Sequence, residues 1–541
     1  MPSGARCKDV PIGIRFIRSW APRLSNRTAV YKASVVCVTF FTYATYHMSR
    51  RAISVVKTNW YPSDCIWPGK SNDSHPECGN VPPTTECHPW KPFDKESRLG
   101  DLDFVFLLGY AFATYISGQI GDRFNLRYFL FAGMLLSGIF TSMLGLAYFF
   151  NIHSFAFFVV VQLFGGIVQS TGWPSVVAVM ANWFGVGHRG FVMGLWNSHT
   201  SLGNIIGAII PGIWVHNAWG WSFIVPGIII ASMAIVVLLF LIVDPTDVDC
   251  PPVSKVPEQQ PQRQRPRGQQ HSSETAVMPV DHLTISEDSE QDALLPVLPV
   301  SNDDVASAVT EQPAHATSSR DQPATAVSFL SALRIPGVLE YSLCLFFSKF
   351  MNYIFLYWMP KYVRDVCVAG HSLSKQHSAY YSSLFDVGGI IGGAALGYVS
   401  DRTGASAIPS VIMLLLSIPS LYIFNTYGGD SLGALLGLMA LTGALLNGPY
   451  SLITTAVSAD LGTHEVLGGN QKALATVAAI IDGTGSIGAA LGPYLVGIAL
   501  QDVKNPWPVV VNVCMGASLL SALFLLRICF KELSRFRASR Q

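Results

Sequence analysis

Charged side chains are scarce in this chain: Asp, Glu, Lys and Arg supply 13% of 541 residues while apolar residues supply 50%, against a charged share of about 25% in ordinary globular domains. That scarcity excludes a soluble globular protein. The apolar residues fall in long uncharged blocks, each able to cross roughly 30 Å of hydrocarbon as about 20 helical residues. No sustained basic stripe is present, and Lys+Arg 35 against Asp+Glu 34 leaves a net charge of +1. Nucleic-acid binding, which needs a cationic footprint for phosphate backbones, is therefore excluded. The chain also has no Walker loop, no His-Glu-x-x-His and no Gly-x-Ser-x-Gly elbow, and its Asp and His residues are scattered without a catalytic arrangement. No enzyme, catalytic set, metal site or cofactor is expected. The N-terminal segment lacks an early apolar core with a cleavage site, so no removable signal peptide is expected.

What is present is a series of apolar blocks at about residues 32–56, 104–120, 128–150, 155–184, 190–215 and 221–243, and a second series at about 338–359, 380–399, 409–424, 432–457, 473–500 and 509–530. These read as twelve transmembrane helices in two sets of six, because a lipid-exposed chain must satisfy its own backbone and the blocks lack the alternation of a membrane barrel. Arg6, Lys8, Arg15, Arg18, Arg23 and Arg27 precede the first block, and Arg527, Lys531, Arg535, Arg537 and Arg540 close the last. Both termini are expected in the cytoplasm. The domain reading is a cytoplasmic N-terminus (1–31), an N-terminal six-helix bundle (32–243) holding a luminal loop (57–103), a cytoplasmic linker (244–327), a C-terminal six-helix bundle (328–530) and a cytoplasmic tail (531–541).

The loop over 57–103 holds Cys65, Cys78, Cys87 and the sequon Asn72-Asp73-Ser74, so glycosylation at Asn72 and disulfides are expected on that face. Cys367, in the far-side loop after the seventh span, either pairs with the odd cysteine or stays free alongside the others. The linker is rich in Pro, Gln, Ser and Thr and reads as disordered. Within it, Glu290 to Leu295 carries the pattern of an acidic dileucine sorting signal.

An internal repeat links the halves. Gly118-Gln-Ile-Gly-Asp122-Arg123, with Arg127 beyond, ends the second span, and Gly397-Tyr-Val-Ser-Asp401-Arg402 ends the eighth. The shared Gly-x3-Asp-Arg resembles the loop signature of the major facilitator superfamily, which implies an all-α integral membrane fold of twelve helices in two pseudo-symmetric six-helix bundles. The glycine allows close helix approach, and Asp and Arg at the mouth can pair with a neighbouring helix end. Gly118, Asp122, Arg123, Arg127, Gly397, Asp401 and Arg402 are therefore read as a gate.

Ionisable residues inside a membrane are expensive, roughly 2.5 to 3.5 kcal/mol even on the mildest scale, and point to function. Here they are His47, Arg50 and Arg51 in the first span, His199 in the fifth, Lys349 in the seventh, Asp386 in the eighth and Asp482 in the eleventh. Tyr43, Tyr46, His47 and Arg50 recur at helical spacing on one face, with Arg51 turned about 100° away. Lys349, Tyr353 and Tyr357 form a similar stripe in the equivalent helix of the second half. One cation per half suits a ligand of about −1.5 to −2 charges, a phosphate monoester or inorganic phosphate. Arginine offers a planar fork and lysine a point charge. Loaded, such a site is near neutral; unloaded, it holds two uncompensated like charges, which is the basis expected for obligatory exchange.

The blocks Tyr46-His47-Met48-Ser49-Arg50-Arg51-Ala52-Ile53-Ser54, Gly172-Trp173-Pro174-Ser175, Asn182-Trp183-Phe184 and Trp196-Asn197-Ser198-His199-Thr200-Ser201 resemble the organophosphate:phosphate antiporter branch. With Asp386-Val387-Gly388-Gly389, Ser458-Ala459-Asp460-Leu461-Gly462 and Asp482-Gly483-Thr484-Gly485-Ser486 the chain resembles solute carrier family 37, the sugar-phosphate exchangers. The resemblance implies exchange of glucose-6-phosphate or a related sugar phosphate for inorganic phosphate across the endoplasmic reticulum membrane, with Arg50 as the phosphate-binding arginine. Lys349 matches a basic position where bacterial relatives usually carry arginine. Those relatives place a substrate histidine where an ungapped match puts Thr200, with His199 one residue early. Asn197, Ser201 and Asn204 form the polar stripe expected to meet sugar hydroxyls. His199 is read either as a coupling residue or as packing between helices. Asp386 and Asp482 pair with a cation, bind protons or cap local backbone, and Gly172-Trp173-Pro174 marks a bend. Expected partners are a sugar phosphate, inorganic phosphate and membrane lipid. The alternatives are a carrier of another anion, such as glycerol-3-phosphate or phosphoenolpyruvate, and a non-transporting sugar-phosphate sensor; the dileucine pattern points to endosomes or lysosomes, with the plasma membrane a further alternative.

Overall fold

The computed structural model describes residues 9–20, 27–61, 90–121, 123–184, 195–251, 332–458, 461, 471–503 and 505–540. Backbone groups in hydrocarbon must bond within their own segment, and the described chain is accordingly helical. The helices are α1 (Ile12–Trp20), α2 (Arg27–Trp60), α3 (Glu96–Gly121), α4 (Leu126–Phe149), α5 (Phe155–Gln169), α6 (Gly172–Trp183), α7 (His199–Trp214) and α8 (Trp221–Phe240) in the first half. The second half holds α9 (Val338–Asp365), α10 (Lys375–Ser382), α11 (Leu384–Thr403), α12 (Ala407–Tyr427), α13 (Leu432–Leu452), α14 (Gln471–Asp502) and α15 (Pro506–Arg540). Among the described residues the β pairing is an isolated bridge between Val368 and His371.

Nine helical segments among the described residues are long and apolar enough to cross a membrane. The remaining expected spans are α2, α7 and α9. α2 and α9 have ample length, 34 and 28 residues, but carry the tyrosines and cations that face the interior; α7 has 16 residues. Boundaries also shift. α2 continues through Lys57 to Trp60 and α3 begins before Asp103, so the loop expected over 57–103 is shorter. Lys57 and Asp103 pair with each other in the interior, which makes their charges poor markers of a loop. The final helix runs on to Arg540, where a tail was expected from 531. The fourth expected span divides at residues 170–171, just before Gly172-Trp173-Pro174, and the tenth ends in a π-turn, Ile453–Val457. Asn72, Cys65, Cys78, Cys87, Asp122 and the stretch 252–331 with its dileucine pattern lie outside the described residues.

The helices pair in the same order in both halves: α2 with α7, α3 with α5 and α4 with α8, then α9 with α14, α11 with α13 and α12 with α15. Between the halves, α3 packs on α14, α7 on α11 and α2 on α9. Lipid offers no hydrophobic drive for helix association, so contact depends on close approach. A Cβ on Gly388 or Gly392 of α11 would collide with the carbonyl oxygen of Ala440 or Ala444 in α13.

Cross-half contacts gather on the face opposite the chain termini. There Lys361 of α9 meets Glu96 of α3 at 3.4 Å, Lys375 donates to Asn59 at 2.8 Å, and the Phe104 and Tyr494 rings lie 4.9 Å apart. On the terminus face the described ion pairs stay within one half, as with Arg127 to Asp9 and Arg527 to Glu340.

Candidate functional site

Arg50 is buried at 4% exposure on the inner face of α2. Its Nε donates to Gln169 Oε1 at 2.6 Å, and Gln169 Nε2 in turn donates to Ser49 Oγ at 3.1 Å. The guanidinium lies 4.5 Å from the Tyr110 ring centroid. Nη2 has no hydrogen-bond partner, and among the described residues no carboxylate forms an ion pair with Arg50. The amide of Gln169 thus fixes the plane of the fork while part of its donor capacity remains unused, the arrangement suited to receiving an anion. The adjoining cavity is lined by Arg50, Ser49, Gln162, Gln169, Phe106 and Tyr357 among others.

Lys349 of α9 is also buried. Its Nζ meets Asp482 Oδ1 of α14 at 2.7 Å and Ser486 Oγ at 3.3 Å. Asp482 therefore pairs with a cation, one of the roles open from sequence, and the expectation of two uncompensated cations is corrected to one. The phenols of Tyr110 and Tyr353 interact electrostatically with both Arg50 and Lys349, which places the two cations around one aromatic cluster. Tyr353 and Tyr357 continue that cluster, with ring centroids 6.1 Å apart.

The match to known proteins covers nearly the whole chain. The family model described as Major Facilitator Superfamily matches residues 39–471. The mouse glucose-6-phosphate exchanger SLC37A2 is 45% identical over 525 residues, 96% of each chain; the human glucose-6-phosphate exchanger SLC37A1 is 45% identical over 537 residues, 97% of each. The chain belongs to solute carrier family 37 of the major facilitator superfamily. Its fold is the all-α membrane fold of that superfamily, two pseudo-symmetric six-helix bundles. A solved bacterial homologue of the human lysosomal transporter Spinster, inward-facing and unoccupied, shares the fold with a TM-score of 0.55 at 14% identity, covering 96% of this chain and 98% of that one.

In this family 37 member the other expected residues separate into distinct environments. His199 is fully buried, 4.8 Å from the Tyr43 ring and 4.5 Å from Trp196, with Thr200 Oγ1 at 3.2 Å from Nδ1. It packs between α2 and its own helix. Tyr43 and His47 lie 5.3 Å apart beside it, and the Tyr46 hydroxyl reaches Thr171 at 3.5 Å. Asn197 faces the other half and donates to Ser451 Oγ at 2.7 Å. Asn204 donates to Asp386 at 2.8 Å, so this amide meets a carboxylate of the opposite bundle, while Ser201 remains on the cavity face.

Arg51 requires a correction. It was expected to turn away from the bundle, yet it is 1% exposed and donates to the Leu356 carbonyl and, at 3.0 Å, to Ser382 Oγ. The 100° rotation from Arg50 carries it to a second interior surface, the contact with α9 and α10. The gate segments differ too. A Cβ on Gly118 or Gly397 meets no described atom within 4 Å, Arg123 and Asp401 are exposed, and Arg402 lies over its own neighbour Tyr398 at 5.5 Å. Among the described residues neither glycine is in close helix contact. Sequence reading missed Tyr110 and Gln169. A signal existed for Gln169: with Gln162 it forms an i, i+7 pair in an otherwise apolar stretch. Among the described residues no cluster is suited to hold a metal ion.

Proposed function

We propose that this chain is an antiporter that exchanges a sugar phosphate, glucose-6-phosphate foremost, for inorganic phosphate by alternating access, moving its substrate without converting it chemically. The observation that carries this reading is Arg50: a buried guanidinium held in plane by Gln169, with donor capacity unspent and a second cation across the same tyrosine cluster. Phosphate oxygens entering there gain the Arg50 fork and compete with Asp482 for Lys349. The relatives named above as glucose-6-phosphate exchangers, 45% identical over 96 to 97% of their length, support the choice of substrate. Alternating access then requires the contacts of Lys361 and Lys375 to open as the two Gly-x3-Asp-Arg segments, Gly118 to Arg123 and Gly397 to Arg402, close the terminus face.

The membrane is assigned as that of the endoplasmic reticulum, with both termini cytoplasmic and Asn72 glycosylated. Cys367, at the end opposite the termini, is disulfide-bonded, which supports an oxidising compartment on that face. The test is uptake of labelled phosphate into proteoliposomes preloaded with phosphate, glucose-6-phosphate or buffer. Uptake should require an internal phosphate compound and fall at least about thirtyfold in Arg50→Ala, consistent with loss of a buried charge-assisted contact of about 2 to 5 kcal/mol. Equal uptake into buffer-loaded vesicles, or full activity of Arg50→Ala, refutes the reading.

A further inference from the structure

A second, partly open cavity lies between α7, α11 and α13. It is lined by Asn197 and Ser201 from one half and by Asn447, Tyr450, Ser451, Gly389 and Gly393 from the other. No ionisable carboxylate, lysine or arginine lines it. A lining of amides and hydroxyls with no charge bonds neutral polar groups well and holds an anion poorly.

The glycine pattern of α11 has two uses. Gly388 and Gly392 press against α13, whereas Gly389 and Gly393 lie one residue on, about 100° around the helix. A Cβ on Gly389 would meet Asn447 Nδ2 at 2.7 Å and one on Gly393 would meet Ser451 Oγ at 3.3 Å. Both stripes face α13: the first meets its backbone, the second its Asn447 and Ser451 side chains, which line the cavity. Tyr450 and Ser451 line this space from α13.

We propose that this cavity is the subsite for the uncharged polyhydroxy part of the substrate, with Tyr450 and Asn447 determining selectivity for a sugar phosphate over a phosphate that lacks hydroxyls. The proposal rests on the antiporter reading above and deepens it. The cavity's position between the halves exposes it to either side as they rock.

The experiment compares two inhibitors of labelled-phosphate exchange in proteoliposomes: glucose-6-phosphate and methyl phosphate, which has the charge without the ring. In Tyr450→Phe and in Asn447→Ala, the glucose-6-phosphate concentration that halves exchange should rise about three- to tenfold, the range for one lost hydrogen bond. The methyl phosphate concentration should shift less than about twofold. Equal shifts for both inhibitors, or none for either, overturn the assignment while the wild-type exchange upholds the antiporter. If Tyr450→Phe abolishes all exchange, Asn447→Ala decides, and loss of exchange in both variants overturns the subsite. A wild type that exchanges no phosphate overturns the antiporter reading and the subsite with it.

Discussion

Lys57 and Asp103 are the most completely buried ion pair among the described residues, each with a side-chain exposure of 0%. Lys57 Nζ also lies 4.0 Å from the Trp358 ring and 3.5 Å from the Tyr357 carbonyl oxygen, both in α9. The pair therefore joins α2, α3 and the opposite half near the sealed face. Removing one member leaves the other as an uncompensated buried charge, which costs roughly 3 to 5 kcal/mol, whereas replacing both by apolar residues of similar volume is often neutral or better. Asp103→Leu and Lys57→Met should each lower the apparent stability of the purified carrier by about 3 kcal/mol or more, and the double variant should recover most of that loss, giving a coupling of at least about 2 kcal/mol. Denaturation of all four proteins in one detergent supplies the cycle. Additive losses, with coupling under about 0.5 kcal/mol, refute the claim that the two charges compensate each other.

Three further outcomes follow from particular contacts. Asp482→Asn removes the carboxylate at 2.7 Å from Lys349, so the phosphate concentration for half-maximal exchange should fall about tenfold, within the range of a charge-assisted bond; an unchanged value means that Asp482 does not compete with substrate. Gly392→Ala drives a methyl into the Ala444 carbonyl and should destabilise the second half by about 1 to 3 kcal/mol, read by thermal unfolding in detergent, with Gly397→Ala, whose Cβ meets no described atom within 4 Å, as the mild comparison. Glu532 accepts the backbone N–H groups of Ser406, Ala407 and Ile408 at 2.9, 3.0 and 3.0 Å, capping α12 from another helix. Glu532→Ala should cost about 1 to 2 kcal/mol of stability, and an unchanged unfolding midpoint would count against that cap.

The twelve-span frame was legible because lipid forces each segment to be apolar over a fixed length, a property that periodicity and composition record directly. Arg50 and Lys349 were legible for the complementary reason, as charges where hydrocarbon penalises them. The same logic failed at Lys57, Asp103 and Arg51. A charge near the end of an apolar block marks equally an interface with water and a buried pair, and the choice depends on a partner far away in sequence: Asp103 for Lys57, and the Leu356 carbonyl for Arg51. Tyr110 was hidden because an aromatic residue in a span is ordinary packing until an arginine is found against its face. Asn204 was assigned to sugar by its place on a polar stripe, and its bond to Asp386 comes from how α7 meets α11, which local spacing does not encode.

Pairing between Lys349 and Asp482 also changes the electrostatic argument for obligatory exchange. With two unpaired cations, the unloaded site would carry two like charges, and a dianion would neutralise it. With Asp482 counted, Arg50, Lys349 and Asp482 sum to a single positive charge, which a monoanion neutralises and a dianion overshoots. Phosphate monoesters have a second pKa of about 6, so both forms are present near neutrality. A dianion is then held well only if Lys349 leaves Asp482 for the phosphate, and the carboxylate, whose Oδ2 already has no hydrogen-bond partner, must be stabilised elsewhere. The barrier to moving the unloaded carrier is thereby concentrated in one guanidinium, Arg50, while Lys349 and Asp482 act as a charge reservoir that opens when substrate arrives. Asp482→Asn separates the two pictures, because it restores the two-cation site: tighter phosphate binding combined with slower return of the unloaded carrier is what the three-charge sum requires, and tighter binding with an unaltered return rate would place the reorientation barrier outside this site.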